Sequence, residues 1–260
     1  TLLNKGKFMI STSLDNRILS VSFDRSDKKN AITNDMYLAA EQAVLEAGVN
    51  AEVRVVLFKG EGGNFTSGND LVDFLKNPPT GGEPPVLKFL LALARCPKPV
   101  VAAVTGLAVG IGTTMLAHCD YVVAAEDARF KLPFVDLGVW PEGGSSLLFP
   151  NLMGHSQAAE LLMLADVFGS EKANKVGLLN AVVASEEVIP AAVKVATKLA
   201  NKAPNALAKT KALIKKTYLA DLELRMTEEI HGFAELLNGP EAKEALGAFM
   251  EKRAPDFSKF

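Results

Sequence analysis

Lys98–Ala125 reads KPVVAAVTGLAVGIGTTMLAHCDYVVAA, and the order of events along it sets the fold class. Val100 to Val104 is a short apolar run of the kind that fills a strand buried on both faces, and Asp120 to Ala125 reads as a second. Between them, Gly106 to Gly112 supplies a small-residue turn that opens a helix running through His118. Strand, turn, helix and strand in that order imply a crossover, and so a largely parallel sheet.

Upstream, Lys7 to Leu14 and Arg17 to Phe23 alternate in character around Asp15-Asn16, which predicts a β-hairpin. Thr33 or Asn34 is placed to cap a helix reaching about Ala47, and Val53 to Lys59 predicts another buried strand. Asn77 to Pro85 holds four prolines and two glycines and reads as a loop or lid, followed by a helix over Val86 to Arg95. Downstream, helical patterns cover Ser156–Ala165, Ser170–Val176, Glu187–Lys202, Asn205–Tyr218, Asp221–Leu237 and Pro240–Lys252. The expected organisation is a core over 1–200 and a helical region over 201–260, with no internal repeat.

The 260 residues are 48% hydrophobic, enough for a substantial core. Lys and Arg number 28 against 30 Asp and Glu, so no global charge favours nucleic acid or an anionic membrane. Cys96 and Cys119 form neither a disulfide framework nor a zinc spacing, and no metal site is expected. No leader pattern and no apolar run near the roughly 20 residues of a membrane span is visible, so a soluble protein in a reducing compartment is expected. Ser258-Lys259-Phe260 differs from the peroxisomal Ser-Lys-Leu address in its last residue, which gives that location weak support beside a bacterial cytoplasm.

The chemistry concentrates in three places. Lys131–Pro150, KLPFVDLGVWPEGGSSLLFP, holds Glu142 between Pro141 and Gly143-Gly144, after the apolar Phe134, Leu137, Val139 and Trp140. Two roles suit that acid: the cap of the next helix in a surface turn, or a catalytic base held rigidly in place. Thr66–Asp70 and Gly106–Gly112 are small-residue turns. Their glycines suit close helix–sheet packing, and equally suit two backbone N–H groups converging on one carbonyl oxygen, the second near the helix start at Ile111. A dinucleotide fingerprint fails because Met115 stands where the third glycine belongs. Ser67, Ser145 and Ser146 lack a nucleophile elbow, and His118, His155 and His231 lack ligand spacing. Lys209, Lys211, Lys215 and Lys216 share one predicted helix and read as solvated, with a phosphate-bearing ligand as the other use.

Lys29-Asn30-Ala31, Phe65–Leu71, Lys98–Val100 through Gly112, Cys119-Asp120 and Pro141–Ser146, in this order and spacing, resemble the crotonase (enoyl-CoA hydratase/isomerase) superfamily along nearly the whole chain. The resemblance implies an α/β fold of stacked ββα units in a spiral core, with a C-terminal helical trimerisation region and a homotrimer or dimer of trimers. It implies a coenzyme A thioester as substrate, no separate cofactor, and an oxyanion hole made by the N–H groups of Asn69 and Ile111. Glu142 matches the catalytic position of the peroxisomal-type 3,2-trans-enoyl-CoA isomerases. Hydratases of the family carry glutamates where this chain has Thr114 and Phe134. Substrate contacts are expected from Lys29, Ala31, Ser67, Gly68, Asp70, Leu71, Gly110, Phe134, Phe249 and Lys252, with Lys29 and Lys252 toward the coenzyme A phosphates and Phe249 beside the adenine. The expected activity is a double-bond shift from 3-enoyl-CoA to 2-trans-enoyl-CoA in unsaturated fatty acid β-oxidation. Hydration, another CoA-thioester reaction, or a non-catalytic acyl-CoA-binding module are the alternatives. Asp136 would share a face with Phe134 if that segment were extended.

Overall fold

The computed structural model describes residues 9–78 and 82–260. Residues 7 and 8 of the expected hairpin, and 79–81 of the expected lid, lie outside the described residues. The hairpin pairs β1 (Ile10–Asp15) with β2 (Ile18–Phe23), Ile10 opposite Phe23 and Asp15 opposite Ile18. Its turn falls on Asn16-Arg17, one residue later than the sequence suggests, with both residues in the left-handed region (φ 48° and 65°). That is the geometry whose twist matches a two-residue hairpin.

β2 is followed in space by β3 (Val55–Gly60), β4 (Val100–Val104), β6 (Tyr121–Ala125) and β9 (Ala181–Val183), all parallel, giving one six-stranded sheet. A second sheet orders β5 (Leu107–Val109), β7 (Arg129–Lys131) and β8 (Phe168–Gly169). The chain alternates between them: β4 is followed by β5, and β6 by β7. Thr66 makes the same step after β3, bridging to Ala108. This is the crotonase-like arrangement of stacked ββα turns.

The first sheet is covered on both faces, which is why β3 and β4 are uninterrupted apolar runs. α8 (Val188–Ala200) packs across β3, β4 and β6, while α1 (Asn34–Val49) packs on α3 (Pro85–Arg95). Thr33 caps α1 by accepting from the Met36 N–H. Phe58 of β3 meets Phe23 at 6.1 Å and Phe89 at 5.9 Å, joining strands to α3. Among the described residues no helix is long and apolar enough to cross a membrane.

Four local expectations change. Gly106–Gly112 does not open a helix at once: β5 comes first, because Thr66 and β7 both offer it backbone partners, and α4 (Ile111–Thr114) then leads into a 3-10 turn over Met115–His118. Phe134 to Asp136 is not extended, since Val135–Leu137 is a 3-10 turn. The downstream helical patterns start only at Ser156, but α5 (Ser145–Met153) already follows the Pro-Glu-Gly-Gly turn and tolerates Pro150 inside it. Lys211 and Lys215 of α9 (Pro204–Lys215) are buried and not solvated. The Lys211 ammonium donates to the Lys98 carbonyl (2.7 Å) and to Asp120 (2.6 Å), and Lys215 donates to the Ala94 carbonyl (3.0 Å). Burial pulls the Lys215 amine down to about 8. α10 (Leu219–Leu237) and α11 (Pro240–Met250) complete the chain against α3, α5 and the Val135–Leu137 turn.

Candidate active site

The loop after β3 is built from Asn30, which is fully buried and left-handed (φ 58°). Its amide donates to the carbonyls of Glu61 (2.8 Å) and Asn64 (2.7 Å), its side-chain oxygen accepts from the Arg25 N–H, and its own carbonyl accepts from the Thr66 hydroxyl. Arg25 adds a bond to the Ala31 carbonyl and an ion pair with Asp70 (2.5 Å). Asp70 also caps α2 (Leu71–Lys76), accepting from the N–H groups of Val72 and Asp73.

The Ile32 N–H donates to the Gly68 carbonyl and the Asp70 N–H to the Ile32 carbonyl, so Asn69 between them turns its own N–H away from Ile32. The neighbouring loop is set alongside by Thr66, whose N–H donates to Leu107 and whose carbonyl accepts from Val109. Gly68, at φ +89°, lets these loops touch: a Cβ there would lie 2.8 Å from the Val109 carbonyl oxygen. Among the described residues no backbone acceptor meets the N–H of Asn69 or of Ile111. Both residues line one cavity of about 600 Å³. Two unpaired donors on one cavity are what an acceptor oxygen gaining charge requires.

Glu142 is not among the residues that line the cavity; it lies three residues past the lining Val139 in sequence and is 3% exposed. Thr114, at the end of α4, donates its hydroxyl to Glu142 Oε1 at 2.8 Å, while Oε2 is buried without a partner. Burial pushes the carboxyl up to about 8, with the nearby charge of Glu229 adding to the rise and the Thr114 bond opposing it. The helix-capping role that the sequence leaves open for Glu142 is taken instead by Glu229, which accepts from the N–H groups of Gly144 (2.5 Å) and Ser146 (3.0 Å). His118, buried and pulled down to about 4 by burial, meets the Gly143 carbonyl through Nε2 at 2.7 Å. A carbonyl only accepts, so Nε2 carries the proton and His118 is neutral. The Tyr37 hydroxyl donates to the Asn69 side-chain oxygen (2.5 Å), and burial, then the charge of Glu142, holds that phenol well above its usual range.

A family model described as enoyl-CoA hydratase/isomerase matches residues 13–259. The chain belongs to the enoyl-CoA hydratase/isomerase family. The solved structure of Pseudomonas aeruginosa OdaA is 46% identical with a TM-score of 0.91, over 94% of this chain and 99% of that one. The crotonyl-CoA hydratase of Syntrophomonas wolfei is 31% identical over 94% of this chain and 95% of its own length. The peroxisomal enoyl-CoA delta isomerase 3 of Mus musculus is 33% identical over 96% of this chain and 80% of its own length.

Of the residues that the family resemblance singles out, Ala31, Ser67, Gly68, Asn69, Asp70, Leu71, Gly110, Ile111, Phe134 and Phe249 line the cavity. Glu142, Lys29 and Lys252 do not; Glu142 is buried, while both lysines are exposed and their neighbours Lys28 and Arg253 line the cavity in their place. Lys29 serves the loop through its backbone, its carbonyl accepting from the Ser67 N–H at 2.9 Å. The apolar end of the cavity is built around Phe233 of α10, whose ring stands edge-on to Phe74 (5.6 Å) and Phe134 (6.5 Å). Sequence reasoning does not find Phe233, Tyr37, Arg25 or Glu229. Thr114 draws notice only as the place of an absent glutamate.

Proposed function

We propose that this member of the enoyl-CoA hydratase/isomerase family is a 3,2-trans-enoyl-CoA isomerase, with Glu142 as its base. The carrying observation is that Glu142 is buried, with a pKa of about 8 and one carboxylate oxygen without a partner. Asp70 and Asp136 are the carboxyls that line the cavity among the described residues, but Asp70 is paired with Arg25 and Asp136 with Lys131 (2.8 Å). Thr114 and Phe134 hold the two positions at which the family's hydratases carry glutamates, so no carboxylate pair is available to orient and activate water. The similarity to delta isomerases of Mus musculus and Homo sapiens, each 33% identical, agrees with this reading.

In the proposed reaction the thioester oxygen accepts from the N–H groups of Asn69 and Ile111. Glu142 takes a proton from C2, the electron pair of that C–H bond forms the C1–C2 double bond, and the carbonyl π pair moves onto the thioester oxygen, giving a dienolate held by the two N–H groups. As the carbonyl re-forms, the C1–C2 pair becomes the C2–C3 double bond and the C3–C4 pair takes up a proton at C4. The same carboxyl then returns the proton to C4, so no co-reactant is consumed. Phe134 keeps water from the intermediate. Ala31, Ser67, Gly68, Leu71 and Gly110 border the thioester, and Lys28 and Arg253 offer charge to the coenzyme A phosphates. Phe249, with the exposed Lys29 and Lys252, completes the nucleotide end within a homotrimer. Coenzyme A is part of the substrate, and no separate cofactor is needed.

Glu142→Gln tests this. Turnover of 3-enoyl-CoA is expected to fall by roughly two or more orders of magnitude with CoA-ester binding retained; near-normal turnover would sink the assignment. The wild-type rate should climb with pH until Glu142 is ionised, near about 8. The folded chain holds a proton that the unfolded chain releases between about pH 4.5 and 8, so burying Glu142 costs stability that grows with pH across this window. The melting temperature gained by Glu142→Gln should widen in the same window. Product analysis of matched 3-enoyl-, 2-enoyl- and dienoyl-CoA separates isomerisation from water addition, and hydration without isomerisation would reverse the reading.

A further inference from the structure

The turn that carries Glu142 is gripped from a helix far away in the sequence. Besides the Gly144 and Ser146 N–H groups, the Glu229 carboxylate accepts from the Ser146 hydroxyl at 2.6 Å. On the other side of the turn, the Trp140 indole N–H donates to the backbone carbonyl of the same residue, Glu229, at 2.6 Å. One residue of α10 thus fastens both flanks of Pro141–Gly143. The Trp140 ring lies over Gly232, one helical turn on, where a Cβ would stand 1.7 Å from a ring carbon. Within the turn, the Ser145 hydroxyl donates to the Glu142 carbonyl at 2.7 Å.

Glu229 is 4% exposed, more buried than a mere surface cap requires. The charged and titratable groups around the pair are few. Glu142 is faced by the Tyr37 phenol and by Glu229, with neutral His118 held at Gly143. Arg225 of the same helix faces Glu229 across the Ser146 hydroxyl, to which it donates at 3.1 Å, and pairs with Glu228.

We propose that Glu229 is a positioning residue for Glu142, fixing the direction of its side chain by holding both flanks of the turn. The proposal rests on the reading of Glu142 as the base. Burial raises the Glu229 carboxyl as well, and in its ionised form Glu229 adds to the effect of burial in raising the affinity of Glu142 for a proton.

The test uses Glu229→Gln in the full chain, which keeps the shape and removes the charge. Turnover is expected to fall about tenfold or more with KM changed by less than about twofold, because a small misdirection of a reacting group lowers the chemical step more than binding. The titration of Glu142, followed as the infrared carboxyl band that Glu142→Gln removes, should move to lower pH. An unmoved titration with turnover within about twofold of wild type would overturn the proposal. If Glu229→Gln does not fold, Ser146→Ala, which keeps the charge and removes one bond, should lower turnover about threefold without moving the titration. Unchanged turnover in Ser146→Ala would then overturn the positioning role. Retention of full turnover by Glu142→Gln would instead defeat the assignment of the base, while the infrared titration still reports whether Glu229 acts on it.

Discussion

The cavity has two kinds of wall. One is main chain, from the loops at Gly68–Leu71 and Val109–Ile111, where the useful groups are N–H donors. The other is side chain, from α10 and α11, where Phe233, Leu237, Leu246 and Phe249 supply shape and apolar surface. The first wall is set by backbone geometry within short stretches of sequence and tolerates little change. The second is set by packing between distant elements, so its residues are exchangeable at the cost of stability and fit.

The largest effect that would sharpen this contrast is expected at Gly68→Ala. The substitution meets both a left-handed backbone and the Val109 carbonyl at 2.8 Å, so the loops must part and the Asn69 donor must move. Turnover should fall at least about tenfold, within the range for a disturbed oxyanion donor, with overall folding intact by circular dichroism. Turnover within about twofold of wild type would mean that the two loops do not act together. Phe233→Ala, on the other wall, should cost about 3–5 kcal/mol of stability in chemical denaturation. Turnover of a short 3-enoyl-CoA should hold to within about threefold, while preference moves to longer acyl chains. An unchanged chain-length profile would mean that Phe233 does not limit the length of the acyl chain. The smallest effect is expected at Asp136→Asn, where the pair with Lys131 is about half exposed on the acid side (47%) and is worth at most about 1 kcal/mol. A drop in turnover of about tenfold there would make Asp136 a second acid and erase the distinction between one-base and two-base chemistry.

The same contrast explains what could be read from the sequence. β3, β4 and β6 were legible because a strand buried on both faces is a continuous apolar run, and the hairpin because its turn residues are polar and adjacent. β5, β7 and β8 were not, being two or three residues long and defined only by partners elsewhere. Asn69, Ile111 and Glu142 stood out through the glycines and proline around them and the order of their motifs. Glu229 is one acid in a helix that also carries Glu223, Glu228 and Glu235, and nothing local marks which faces inward. Lys211 and Lys215 misled for a related reason: spacing by four places them on one helix face, but does not say that the Lys98 and Ala94 carbonyls and Asp120 await them.

The two unpaired N–H groups have a consequence at the level of the gene. A donor that belongs to the main chain survives every replacement of its side chain except proline, the one residue without an N–H. Asparagine and isoleucine codons both lie more than one nucleotide change from any proline codon. No point mutation in codon 69 or 111 can therefore delete the donor itself, so drift at these codons can retune neighbouring side chains while the donor pair is inherited unchanged.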